Sequence, residues 1–219
     1  MSSTSTKLLN SLRDLEKLAI RVLRANDRQF LILLENAMRI LEELSRILND
    51  YTKRFRLSEL SAIRKRICFI MRKLLSRNVQ FSREDVIMKF LHAAKCTYQV
   101  GCVEQALRIF EKILDIVYKN TVSFEILAEF VDKAFECGLL DMVIEVLRKI
   151  REYGYESFEI TYNLALAYYL AGETIKAEKI LKESERKYGE KRQTLGLLSA
   201  IYIAMGEFEK ASKILETLR

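Results

Sequence analysis

The sequence holds few side chains able to make or break bonds near neutral pH. It has one histidine, His92, and four cysteines, Cys68, Cys96, Cys102 and Cys137. Cys96 follows His92 by four residues, so on a helix the imidazole and the thiol share a face. Two side chains are too few for a tetrahedral zinc site, and Cys102 stands beyond a turn-forming glycine. A Cys–His nucleophile also needs a third group to orient the imidazole, and none is suggested. The sequence has no C-x-x-C pair and neither of the glycine-rich phosphate loops, GxxxxGK[ST] or GxGxxG. Adjacent acids such as Glu42 and Glu43 read as ordinary helix surface. No catalytic residue, metal or cofactor is therefore expected. The cysteines are expected to be buried and reduced in a cytoplasmic protein.

Charge is the other feature that could bind something. Residues 1–86 carry 18 Lys and Arg against 10 Asp and Glu, and the remainder carries 19 against 20. Within 51–77, nine basic residues face one acid. On a helix, Leu60, Ile63, Ile67, Ile70, Met71 and Leu74 fall on one side. Lys65, Arg66, Arg72, Lys73 and Arg77 fall opposite, with Phe69 among them. Lys53, Arg54, Arg56 and Arg64 complete the basic set. Such a face could meet nucleic-acid phosphates, with Phe69 stacking on an unpaired base. It could also meet anionic lipid or an acidic protein. The plainer alternative pairs these charges with Glu35, Glu42 and Glu43 on neighbouring helices and packs Phe69 against a helix.

The elements that carry these residues must be helices. The 219 residues include no proline and only seven glycines, half are apolar, and Leu, Ile, Glu, Lys and Arg dominate. No apolar run is long enough to span a membrane, and MSSTSTK lacks the core of a signal peptide. Many charges and few glutamines point weakly to a thermophile, and the absence of proline points the other way. A first helix should start after Ser5 or Thr6 and end at Asn26, with Asp27 capping the next. That second helix places Phe30, Leu34, Ala37, Leu41, Leu44, Leu48 and Tyr51 in a 4-3 alternation. The alternation suits an antiparallel hairpin with the first helix, or a coiled coil with a second copy. A third helix spans about 58–77.

From Ser82 the chain becomes periodic. Gly101, Gly138, Gly172 and Gly206 are spaced by 37, 34 and 34 residues, which places a three-residue insertion near 119–121. Ala93, Phe130, Leu164 and Leu198 stand eight before the glycines, and Thr97, Ala134, Tyr168 and Tyr202 four before. Ala106, Val143, Ala177 and Ala211 stand five after, and Phe110, Leu147, Leu181 and Leu215 nine after. This pattern resembles the tetratricopeptide repeat (TPR) family over about residues 83–219. The match is good in the third and fourth repeats, Leu164-Ala165 to Leu181 and Leu198-Ser199 to Leu215, and loose in the first two. The family's tryptophan is replaced by Phe90, Leu127, Thr161 and Leu195, and its proline is missing.

The resemblance implies an all-α fold, a right-handed α–α superhelix of about four helical hairpins preceded by a three-helix segment. Two domains follow, 1–80 and 81–219. It further implies a concave groove lined by first helices. Its residues would be Met88, Leu91, Lys95, Tyr98 and Gln99; Glu125, Ala128, Asp132, Phe135 and Glu136; Glu159, Tyr162, Leu166 and Tyr169; and Gln193, Ala200 and Ile203. Some members clamp a peptide carboxylate with Lys, Asn and Arg. The matching places here, Lys95, Asp132, Glu159 and Leu166, argue against that ligand. Tyr162 and Tyr169 have a second role open to them, packing under the next hairpin. Leu195, Leu198, Leu215 and Leu218 are expected to leave an apolar face uncovered, which invites a partner or a second copy.

Three functions fit. The first is a non-enzymatic interaction module or adaptor that binds another protein's peptide or helix. The second is a nucleic-acid-associated protein acting through 51–77. The third is a self-assembling component, a homodimer at simplest, joined through the 30–51 helix and the C-terminal leucines.

Overall fold

The computed structural model describes residues 3–22, 25–51, 57–75, 84–119 and 122–218. Every regular element among them is a helix. They divide into two compact units, 1–129 and 130–219. Packing thus divides the chain at a different place from the repeat pattern, which begins near 83.

In the first unit α1 (Ser3–Val22), α2 (Asp27–Tyr51), α3 (Leu57–Leu75), α4 (Glu84–Gln99) and α5 (Val103–Lys119) surround one core. α1 begins earlier than its polar start suggests. Asn26, not Asp27, caps α2: its Oδ1 accepts from the Gln29 N–H at 2.9 Å, and Gln29 Oε1 accepts from the Asn26 N–H at 3.2 Å. This reciprocal pair satisfies two backbone donors and fixes the start of α2.

The 4-3 stripe of α2 is buried inside the chain. Leu34, Ala37, Leu41 and Leu44 are fully buried, and Phe30 and Leu48 nearly so. A second row, Leu33, Met38 and Ile47, is also buried. An apolar arc this wide serves two neighbours, α1 on one side and α4 on the other. The stripe is therefore occupied within the chain, which removes it as a seam for a second copy. α1 also packs on α3, α3 on α5, and α4 on α5. Phe30 meets Phe90 with ring centroids 6.1 Å apart, and Lys89 reaches Glu35 at 2.7 Å.

The cysteines depart from expectation. Cys68 on α3 and Cys102, just before α5, form a disulfide with Cα atoms 5.2 Å apart. Cys96 and Cys137 are buried and unbridged. The sequence could not reveal the pair, because it depends on α3 packing beside the Gly101 turn.

α6 (Phe124–Glu136) begins in the first unit and ends in the second. The second unit continues with α7 (Leu140–Glu152), α8 (Phe158–Leu170), α9 (Thr174–Tyr188), α10 (Arg192–Ala204) and α11 (Phe208–Thr217). α8 packs on α7 and α9, and α10 on α9 and α11. Gly172 and Gly206 make the same reversal at φ +81° and +77°. In each, the glycine N–H and the next N–H bond back to carbonyls three and five residues earlier. A side chain would strain this left-handed backbone.

These last two turns share more than the glycine. Both read Gly-Glu-x-x-Lys-Ala, at 172–177 and 206–211. In each, Glu pairs with Lys (Glu173 with Lys176, Glu207 with Lys210). The same lysines lie over the repeat tyrosines, 5.3 Å from the Tyr168 ring centre and 5.2 Å from that of Tyr202. The alanines, Ala177 and Ala211, are buried where the two helices approach.

Tyr202 adds a bond that Tyr168 is not positioned to copy. Its hydroxyl donates to Glu178 Oε1 on α9 at 2.9 Å, and Lys182 Nζ meets the same oxygen at 2.7 Å. The Lys182 ammonium outweighs the cost of burial and, with a smaller part from the tyrosine hydroxyl, holds the Glu178 carboxyl below its usual range. Burial, followed by the Glu178 contact, pushes the Tyr202 phenol up. One repeat back, the position of Glu178 is Ile144, which is buried.

Two outcomes follow from this packing. Cys68→Ser should lower the unfolding free energy by about 4 kcal/mol, the loop entropy expected for a 34-residue separation. Denaturation of both proteins in reductant should close that gap. Glu178→Gln should cost about 1–2 kcal/mol at neutral pH. A depressed carboxyl contributes stability that is whole above the unfolded value and lost as pH falls through the folded one. The gap between wild type and variant should therefore shrink below about pH 4. Urea melts at a series of pH values check this.

Candidate functional site

Three surfaces hold the residues singled out by the sequence. The first is the outward face of the first helices. On α8, Tyr162, Leu166 and Tyr169 recur at i, i+4 and i+7 and are only half-buried, while Ile160, Thr161, Leu164, Ala165, Ala167 and Tyr168 are buried. Tyr162 stacks on Phe158 at 5.8 Å, and Phe158 meets Tyr188 edge-on at 6.2 Å. Part of the tyrosine surface is thus spent on packing within its own hairpin. On α10, Ala200 is half-buried and Ile203 exposed. Ser157 caps α8, its Oγ accepting from the Ile160 N–H at 3.2 Å.

The other expected groove residues divide between the units. Lys95 and Tyr98 are half-buried and Gln99 is exposed on α4, in the first unit. Asp132 and Glu136 are exposed and Phe135 half-buried on α6, with Glu136 held by Lys133 at 3.2 Å. Leu91 does not line any surface; it is fully buried in the first core.

The apolar face expected at the C-terminal leucines is redistributed. Leu195 and Leu198 are buried, because α10 lies between α9 and α11. Leu218 is half-buried and Leu215 is 45% exposed. Leu215 lies two turns beyond Phe208, which is 68% exposed, so both share one stripe of α11. Leu170 and Ile175 are exposed as well. The sequence signal for this stripe is the Phe208–Leu215 spacing of seven.

The second surface is the basic face of α3. Lys53, Arg54, Arg56 and Arg77 lie outside the described residues. Arg64, Lys65, Arg66, Arg72 and Lys73 are all exposed, and Phe69 is 58% exposed. Phe69 therefore does not pack on a neighbouring helix; Lys73 sits 4.6 Å from its ring centre. Arg66 pairs with Glu16 at 2.7 Å and Arg72 with Glu104 at 3.6 Å. The expected acids are used elsewhere: Glu35 holds Lys89, and Glu42 faces His92. Their hydrogen bond pulls the Glu16 carboxyl down and tightens the hold of the Arg66 guanidinium on its proton. An open cleft separates this face from the start of α5, lined by Arg64, Lys65, Phe69, Arg72 and the Cys68–Cys102 bridge.

The third is a polar cluster on the seam between α2 and α4. His92 and Cys96 share one face of α4, as their spacing requires, with Cys96 Sγ 3.7 Å from His92 Nε2. α2 brings in Glu42, whose Oε1 stands 3.3 Å from that nitrogen and 3.9 Å from the sulfur. Sequence reasoning missed Glu42 because nothing local links residue 42 to residue 92. The signal was there in the polar interruptions of the two helices: Glu35 and Glu42 are seven apart, as are Lys89 and Cys96.

No family model matches the chain, and no curated protein matches it. Solved structures do. A crystal structure from Podosopora anserina, of a candidate kinesin light chain with nearly identical TPR-like repeats, aligns over all of this chain and 96% of its own. Its TM-score is 0.51 at 18% identity. MamA from Desulfovibrio magneticus RS-1 aligns over 95% of this chain and 93% of its own, at TM-score 0.46 and 13% identity. A mutant form of MamA gives TM-score 0.48 at 15% identity, over 74% of this chain and 85% of its own. The MamA scores are too low to place any residue. The glycine-terminated hairpins and the Podosopora alignment agree on one conclusion: the chain has a TPR-like, all-helical repeat fold.

Proposed function

We propose that this chain is a non-enzymatic scaffold that binds another protein through its second unit. The observation that carries the reading is the exposed apolar stripe of α11, Phe208 and Leu215, with Ile203 on α10. Large apolar side chains grouped on one helix cost solubility and are usually retained where a partner covers them. The half-covered stripe Tyr162–Leu166–Tyr169 supports the same reading from α8. An amphipathic helix or extended peptide with apolar anchors suits both. The surrounding charge is mixed, so a strongly charged ligand is not favoured.

A second reading rests on Phe69, exposed amid Arg64, Lys65, Arg72 and Lys73. That arrangement suits a phosphate backbone with an unstacked base. It is the weaker reading, because Arg66 and Arg72 already have carboxylate partners.

The test compares the intact chain with Phe208→Glu/Leu215→Glu in capture from native extract. Both positions are exposed, so the variant should keep its melting temperature within a few degrees. Capture of the same protein should fall at least tenfold, and should survive nuclease and high salt. Equal capture by both chains would end the scaffold reading at this surface. Retention that nuclease abolishes, together with its loss in Arg64→Glu/Lys65→Glu, would favour the second.

A further inference from the structure

We infer that Glu42, His92 and Cys96 form a metal site that takes a divalent ion of the zinc class. The three groups come from two helices and offer one oxygen, one nitrogen and one sulfur, all mutually within 4.8 Å. Their separations are 3.3 Å for oxygen to nitrogen, 3.7 Å for nitrogen to sulfur and 3.9 Å for oxygen to sulfur. A tetrahedral zinc with ordinary bond lengths to such ligands sets about 3.3 Å, 3.6 Å and 3.5 Å for the same three edges. The protein therefore already holds a ligand triangle of the right size. The one long edge runs to the carboxylate, whose half-exposed side chain can turn to close it.

The chemistry of the donors supports an ion over an ordinary polar contact. An imidazole nitrogen, a carboxylate oxygen and a thiol sulfur stand together, and no single proton can bridge all three at once. One cation can. The ligand set mixes a soft thiolate with an imidazole, which selects zinc-like ions over magnesium or calcium. Spacing helps as well: His92 and Cys96, four apart on one α4 face, form a rigid two-point base, and α2 supplies the third point.

Burial defines the site's form. Cys96 is 1% exposed and makes the floor, while the His92 and Glu42 side chains are 38% and 39% exposed. Three protein ligands and an open side leave the fourth position to water. The ion would pin α2 to α4, the seam on which the first unit depends, so its effect is on the stability of that unit. The inference is independent of the proposed scaffold surface, which lies in the second unit.

Cobalt is the probe, because a tetrahedral cobalt–thiolate centre absorbs visibly and shows a sulfur-to-metal charge-transfer band. The intact chain, with its Cys68–Cys102 bridge oxidised, is titrated with Co²⁺ and then with Zn²⁺ as competitor. The expected result is saturation at one equivalent, with bands that zinc bleaches. Cys96→Ser should abolish the charge-transfer band, and Cys137→Ser, at the other unbridged thiol, should leave it. Glu42→Gln and His92→Gln should each weaken cobalt binding at least tenfold; both side chains are part-exposed, so these variants remain informative if Cys96→Ser misfolds. Zinc should raise the melting temperature of the intact chain and not that of Glu42→Gln. Absence of the bands in the intact chain, or their persistence in Cys96→Ser, overturns the site.

Discussion

The first unit is organised by the burial of α2 from two sides. A surface helix needs one apolar stripe; α2 carries two adjoining buried rows, and two neighbours, α1 and α4, pack on it. The double burial fixes α1 and α4 at once, and through them α3 and α5. It also decides what α2 can do. A helix with a 4-3 alternation could have zipped to a second copy, but its apolar arc is consumed within the chain. Besides the exposed Ile32, α2 presents polar edges, and one of them carries Glu35 and Glu42 to α4.

The second unit depends on a different device. Its hairpins are set by repeated turn chemistry rather than by one central helix. The Gly-Glu-x-x-Lys-Ala stretch supplies the reversal, an ion pair across the turn, a cation over the preceding tyrosine and a small residue at the point of closest approach. The same four residues recur at the same spacing 34 residues later, and the two turns share their glycine conformation and hydrogen bonds. The seam between their hairpins is not so repeated, since the acid that receives Tyr202 has an isoleucine as its counterpart one repeat earlier.

Much of this was legible from the residues alone. The glycine spacing gave the hairpins, and the positions aligned on it are buried in all four repeats, except Leu215 on the last helix. Local signals of this kind survive because turn and helix periodicity depend on neighbours in sequence. What could not be read were encounters between distant residues. The Cys68–Cys102 bridge, the transfer of Arg66 to Glu16, and the arrival of Glu42 beside His92 each depend on which helix lies next to which. Leu195 and Leu198 are buried for a related reason: their helix has neighbours on two sides, so a residue at the end of the repeat series need not be at the surface.

The bridge between α3 and the Gly101 turn has a topological consequence. It closes residues 68–102 into a covalent macrocycle, and all of α4 lies on that ring. A single backbone cut anywhere in 69–101 would open the ring without releasing a fragment, because both ends stay tethered through sulfur. The helix that meets α2 is therefore held by the chain on both sides and by a staple besides. In an oxidising compartment the first unit can be nicked there and still remain one molecule; in a reducing one the same nick would separate it into two pieces held only by packing.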